Sequence, residues 1–276
     1  MKTKKPVLQY YPLGEGVTAF SSTRQGGYSE GRYGEFNINR YCGDDEESIR
    51  RNREALCHLL GVEDDRLLMP HQVHKTEIVV VDEALLRLPV EERAQRLEGV
   101  DALMTDVDSV CIGVSTADCI PVLLYDKRHR AVCAIHAGWR GTVQRIVEKS
   151  VQRMSAVYCS QPCDIVAQIG PGIHLESFEV GDEVYDAFAQ AGFDMEPISR
   201  KFPQHDGESP SHSSLLPSKW HIDLPECNRL QLLTAGVAEN KITVSLVCTF
   251  RQSDMFFSAR RLGINSGRIF TGILLR

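Results

Sequence analysis

The sequence predicts a mixed α/β fold, a layered mixed sheet flanked by helices. Several β-rich apolar runs follow one another between residues 101 and 135 with only short polar breaks, whereas a strictly alternating doubly wound fold would put a helix between successive strands. Two other stretches, after residue 44 and after residue 141, repeat their apolar positions at helical spacing. No Pro/Gly/Ser-rich linker divides the 276 residues. A single catalytic domain over 1–276 is therefore expected, although length alone would allow two.

In chain order, the first strong signal is a helix. Asp44 and Asp45 can cap it, Ile49, Leu56, Leu59 and Leu60 recur at helical spacing, and Gly61 stops it. Residues 76–81 are β-rich, which places His74 at the mouth of a strand. Further strands are expected over 101–105, 110–114, 121–125 and 132–135. After Gly141 and Thr142, the positions Val143, Ile146, Val147, Val151 and Met154 mark an amphipathic helix whose amino end follows His136 closely. Free N–H groups at such an end favour an anion such as phosphate. Helices are expected again over 182–191 and 225–235, the latter with proline in its first turn, and a late strand over 242–247. The polar stretch 204–214, with His205 and His212, reads as a surface loop.

Three short stretches each carry a metal-capable side chain: Gln72-Val73-His74, Thr116-Ala117-Asp118-Cys119 and His136-Ala137-Gly138-Trp139-Arg140-Gly141. Two neutral imidazoles and a thiolate are the ligand set of a zinc ion that keeps a fourth position open, whereas a structural zinc takes four protein ligands. The intervals are not the short CxxC or HExxH kind. Placement adds weight: Cys119 lies between the apolar runs 109–115 and 120–125, and His136 ends the run 131–135 before a glycine-rich turn. Strand ends of this kind collect functional groups on a rigid frame.

Taken together, QVHK, STADCIPVLLYD, AIHAGWRGT, IGPGIHLESFEVG, IDLPECNRLQLL and CTF followed by FFSARR resemble the laccase-domain family. That family is also called peptidoglycan-editing-factor or polyphenol-oxidase-like. The resemblance covers roughly residues 18 to 272. It implies a layered α/β fold related to bacterial toxin catalytic domains with a Cys-His site. It also implies purine nucleoside phosphorylase activity, on adenosine, inosine and methylthioadenosine, with adenosine deaminase activity. The zinc ligands and catalytic residues it implies are His74, Cys119 and His136. Lys75 stands where the family usually has glycine, and Glu176-Ser177 where a cysteine pair is common. None of the three ligand positions is lost.

Zinc in a three-ligand site lowers the pKa of bound water from 15.7 toward roughly 7, which suits attack at C6 of adenosine. In phosphorolysis the nucleophile is phosphate, at C1′ of the ribose. Asp118, beside Cys119, is a candidate acid/base or an orienting partner of the ligand. Arg24, Arg140 and Arg261 are rival phosphate contacts, because a guanidinium can fork onto an anion. Asn37 and Gly172 are assigned to the pocket wall, and Trp139 either stacks on a purine or packs beneath His136. Two other readings use the same residues. A copper polyphenol oxidase would hold Cu2+ in place of Zn2+, but copper oxidases of the multicopper kind use His-x-His pairs and this chain has none. A metal-free cysteine amidase acting on a peptidoglycan precursor would use Cys119 as nucleophile and His136 as base.

A net charge of −6 without a basic block argues against nucleic acid or an anionic membrane as the main partner. Small molecules, purine nucleosides and phosphate, remain. Nine cysteines, an odd number without a disulfide-like framework, and no signal-peptide pattern point to a reducing, cytoplasmic setting. No run approaches a membrane span.

Overall fold

The computed structural model describes residues 4–203 and 218–276; the expected surface loop with His205 and His212 lies outside the described residues. Along the chain the strands are β1 (Leu8–Tyr11), β2 (Val17–Ser22), β3 (Leu67–Leu68), β4 (Ile78–Val80), β5 (Ala102–Thr105), β6 (Cys111–Thr116) and β7 (Ile120–Asp126). They continue with β8 (Ala131–Ala137), β9 (Ile165–Ile169), β10 (Glu179–Val180), β11 (Ser199–Pro203), β12 (Ser218–Ile222), β13 (Ile242–Val244) and β14 (Ile269–Leu275).

These strands form a five-stranded sheet in the order β1-β2-β14-β6-β3, a six-stranded sheet in the order β13-β9-β7-β8-β5-β4, and a small sheet β10-β12-β11. Pairing is antiparallel except at β3 with β6, β4 with β5 and β13 with β9. The alternation of side chains along each strand sorts the core into layers. Ile112, Val114 and Ile273 from the first sheet meet Leu103, Leu123, Tyr125, Val132 and Ala134 from the second. The opposite face of the six-stranded sheet presents Val122, Leu124, Cys133 and Ile135 to Val147, Val151 and Met154 of helix Ile146–Tyr158 and to Leu232 of helix Leu224–Thr234. The outer face of the five-stranded sheet presents Phe20, Phe270 and Leu274 to Leu56 and Leu60 of helix Glu46–Leu60. Both faces of the central strands are thus covered, and every residue of β7 and β8 is buried. That is why they read in sequence as unbroken apolar runs rather than as alternating ones.

Helix Glu46–Leu60 is closed at both ends as its sequence demands: the Asp45 carboxylate accepts from the Ser48 N–H, and Gly61 takes a left-handed φ of 66°. The helix expected after Gly141 differs. It is two helices, Trp139–Val143 and Ile146–Tyr158, broken where Arg145 adopts a φ of 64° and lays its guanidinium 3.7 Å from the Phe193 ring centroid. Only the five-residue piece follows His136, so the long helix does not present its amino end there. The last expected strand stops at Val244, after which the chain turns to bring Cys248 into a bridge with Gly172. Strands β1, β2 and β14, which the sequence reading did not anticipate, complete the five-stranded sheet. Among the described residues no helix is long and apolar enough to cross a membrane.

Candidate metal centre

Four chain segments meet at one end of the six-stranded sheet. In the register of β7 with β8, Pro121 faces His136 and Ile120 faces Ala137. Ala102 faces Ile135 across β5 and β8, and Ile78 faces Ala102 across β4 and β5. The residues just outside these pairs therefore share an edge: Cys119 before β7, His136 near the end of β8, Asp101 before β5, and His74 in the loop that enters β4. Residues 117–119 also carry the chain from one sheet to the other, since β6 belongs to the first and β7 to the second. Asp118 makes that corner with a φ of 89°.

His74, Cys119 and His136 offer ligand atoms that all lie within 4.8 Å of one another. A tetrahedral zinc with bonds of about 2.0–2.3 Å would hold such atoms ~3.3–3.6 Å apart. The imidazole rings stand nearly edge to face, 4.7 Å between centroids at 78°. His136 is buried, Cys119 half-buried and His74 exposed, so the group opens to solvent on the His74 side. Gly138 keeps this space free: a Cβ there would fall 2.8 Å from His74 Cδ2 and 3.0 Å from Cys119 Sγ. Two nitrogens, one sulfur and a neighbour trimmed to glycine fit a small cation with a vacant face. It is the one group of three or more such side chains found among the described residues.

Asp101, which the sequence reading passed over, organises the centre. It is fully buried, and its Oδ1 lies 2.7 Å from His136 Nδ1 while also accepting from the His74 N–H at 3.0 Å. Its Oδ2 accepts from the Lys75 N–H at 2.7 Å. Burial pushes the Asp101 carboxyl up, but the His136 ring and these N–H groups outweigh it and hold the group ionised, below its ordinary value. For Cys119, burial pushes the thiol up, yet His136 first and His74 second bring it down to about 6. His136 moves the other way: burial disfavours its charge, while the Cys119 sulfur and Asp101 raise it. Both shifts favour a thiolate beside an imidazolium when no metal is bound. The one sequence signal for Asp101 is its position, a carboxylate abutting a buried strand and so in need of partners.

Gln72 fixes the loop that carries His74, donating to the Ser115 carbonyl and accepting from the Ser115 N–H, both at 2.8 Å. His74 itself has a φ of 63°, whereas Lys75, at the position where glycine is usual in the family, does not have a positive φ. The lysine is therefore accommodated without backbone strain. Asp118 is held by two accepted hydrogen bonds: its Oδ1 accepts from the Thr249 hydroxyl and its Oδ2 from the Arg260 N–H, each at 2.7 Å. Its backbone oxygen accepts from the Ile173 N–H. Gly172 lies flush against the same corner, where a Cβ would come within 2.3 Å of Ile120 Cδ1 and 3.1 Å of the Asp118 oxygen.

Among the described residues, the remaining candidates have partners of their own or none. Arg24 donates to the Gly34 carbonyl at 2.9 Å and the Ser253 carbonyl at 2.6 Å, tying two loops together. Asn37 is buried and bonded to Asp44 and to the main chain of Asn39 and Arg268. Arg140 and Arg261 are exposed, and among the described residues neither is paired with a carboxylate. Arg140 lies 4.3 Å from the Trp139 ring centroid, and Trp139 packs against the helix-side core, which covers part of that indole.

Fold and site together define a layered α/β protein with a three-donor group, able to hold a metal ion, at one end of the six-stranded sheet. The chain belongs to the family whose model is described as multi-copper polyphenol oxidoreductase laccase, which matches residues 18–276. It is 44% identical to a protein of Bacteroides thetaiotaomicron named purine nucleoside phosphorylase, over 98% of this chain and 97% of that one. It is also 44% identical to adenosine deaminase RL5 from an unknown prokaryotic organism, over 94% of each chain. Among solved structures, YlmD from Geobacillus stearothermophilus superposes with a TM-score of 0.85 at 31% identity, covering 96% of this chain and 94% of that one.

Proposed function

We propose that this chain is a zinc-dependent purine nucleoside phosphorylase that acts on adenosine and inosine, and also methylthioadenosine, and that deaminates adenosine at the same centre. The observation that carries the reading is the meeting of His74, Cys119 and His136 around a space with one open side, in a chain that matches relatives of those names along nearly its whole length. A zinc ion held there supplies Lewis acidity that polarises and orients an attacking oxygen. The chain's own residues do the rest. Asp101 engages His136 Nδ1, which leaves Nε2 for the cation. His136 is buried and Cys119 half-buried on the sheet side, so nucleoside and phosphate enter past exposed His74. Arg140 and Arg261 supply the positive charge for phosphate. Arg140 follows the tight Gly138 turn, and Arg261 adjoins Arg260, whose N–H grips the Cys119 corner through Asp118. Phosphate attacks C1′ as the bond to N9 breaks, and the purine leaves with the proton that the phosphate gives up; for deamination, water adds through its oxygen at C6 of adenosine and the amino group leaves as ammonia.

The test incubates purified protein with adenosine and with inosine, each with and without phosphate, and follows products by chromatography. Phosphate-dependent release of adenine or hypoxanthine is the expected result, together with ammonia and inosine from adenosine without phosphate. No turnover in any mixture would refute the reading. The family's description as a multi-copper polyphenol oxidoreductase favours a copper oxidase instead. Stoichiometric copper with phenol-dependent oxygen uptake would establish that alternative, against which stands the single three-donor group among the described residues.

A further inference from the structure

On the reading that His74, Cys119 and His136 hold a cation, we propose that Asp101 is the positioning residue of the centre. Its one carboxylate sets the ring of His136 and the main chain of His74 together, so that both imidazole ligands are in place before the cation arrives. His136 Nδ1 has Asp101 Oδ1 as its partner at 2.7 Å, and the same oxygen takes the His74 N–H at 3.0 Å. Oδ2 takes the Lys75 N–H at 2.7 Å and the Val73 N–H at 3.4 Å. Three consecutive amides around a left-handed His74 therefore turn toward one buried anion, as in an anion-binding nest. Asp101 is itself tied through its main chain to both neighbouring segments. Its N–H donates to the Glu77 carbonyl at 3.0 Å, and its carbonyl accepts from the His136 N–H at 2.8 Å. It thus joins the entrance of β4 to the end of β8, the two segments from which the histidines project. A carboxylate is required for both tasks, because an amide in its place offers one oxygen and turns an N–H2 toward either the ring or the loop amides.

The molecule supplies its own control. Asp126, at the far end of the same sheet, is equally buried and lies 2.7 Å from His129 Nδ1. Zinc dissociation constants are measured by competition with a chromophoric chelator for the wild type, Asp101→Asn and Asp126→Asn, with circular dichroism to check folding. Asp101→Asn is expected to weaken zinc about 10–100-fold, with Asp126→Asn within about twofold of the wild type. Equal affinity in all three, or an equal loss in both variants, would overturn the proposal. Hydrogen exchange on the metal-free wild type decides independently if Asp101→Asn does not fold. The His74 and Lys75 amides are expected to be protected before zinc is added, and free exchange there would show that the ligands are not placed in advance. A wild type that binds no zinc at all would instead refute the metal reading, and this proposal with it.

Discussion

The two ends of the six-stranded sheet carry nearly the same pair, a buried aspartate 2.7 Å from the Nδ1 of a histidine. At the far end the pair is local. Asp126 closes the β7–β8 hairpin, its Oδ1 accepting from the Arg128 N–H at 2.9 Å and the His129 N–H at 3.2 Å, and the His129 side chain remains 29% exposed. At the other end Asp101 takes partners 26 to 35 residues away, and the His136 side chain is only 3% exposed. The difference teaches that a carboxylate–imidazole pair is in itself a way to satisfy a buried charge. It becomes a centre where a thiol and a second imidazole from other segments converge on the free side of the ring, as Cys119 and His74 do.

Removing the sulfur breaks that distinction most sharply. Cys119→Ser is expected to abolish stoichiometric zinc and to lower kcat/KM for phosphorolysis by about 10³-fold, the scale of a lost metal ion. Metal analysis and steady-state kinetics check both.

Titration distinguishes the two ends next. Cys119, lowered from 9.0 to about 6, is stabilising as a thiolate in the metal-free protein above its ordinary value, and loses that contribution as pH falls through about 6. His136, raised from 6.5 to about 9, contributes below its ordinary value and loses that contribution as pH rises through about 9. The thiolate–imidazolium pair therefore occupies the window between about 6 and about 9. Iodoacetamide alkylation of Cys119 in metal-free protein, followed by peptide mapping, is expected to show its inflection near the lower limit. An inflection at the ordinary thiol value would contradict the pairing with His136.

A smaller effect is expected from Gly138→Ala. The added Cβ, 2.8 Å from His74 Cδ2, pushes one ligand outward and is expected to weaken zinc about tenfold while leaving the fold intact. Chelator competition alongside thermal melting separates the two quantities.

What was legible in the sequence follows the range of the interactions involved. Helix Glu46–Leu60 was legible because Asp45 and Gly61 act on their immediate neighbours. The strands around Cys119 and His136 were legible because burial on both faces leaves an unbroken apolar run. The metal-capable side chains stand out by residue type within motifs shared with a family. Asp101 was not legible, because its meaning lies in partners delivered by two other segments, the loop of His74 and Lys75 and the end of β8. Asp118 drew attention by adjacency to Cys119, yet its oxygens are taken by Thr249 and Arg260, more than a hundred residues away in sequence. Strand β14 pairs with β2 across some 250 residues, and that pairing leaves no local mark. The break at Arg145 has neither glycine nor proline to announce it.

The mildest prediction concerns the far end alone. Asp126→Ala leaves the Arg128 and His129 N–H groups and the His129 ring without their acceptor, and the loss of a buried partner costs about 1–3 kcal/mol. Zinc affinity and kcat/KM are expected to stay at wild-type values, because no atom of this pair reaches the metal-capable group. Burial pushes the Asp126 carboxyl up, but its hydrogen bonds prevail and hold it below the ordinary carboxylate value. A lowered folded value means that its stabilisation is full above the ordinary value of 3.8 and disappears as pH falls through the lower one. Melting curves of wild type and variant should therefore lie apart at neutral pH and converge in strong acid. A drop in zinc affinity in this variant would show that the two ends are coupled through the sheet, and the distinction between a hairpin clasp and a reaction centre would no longer hold.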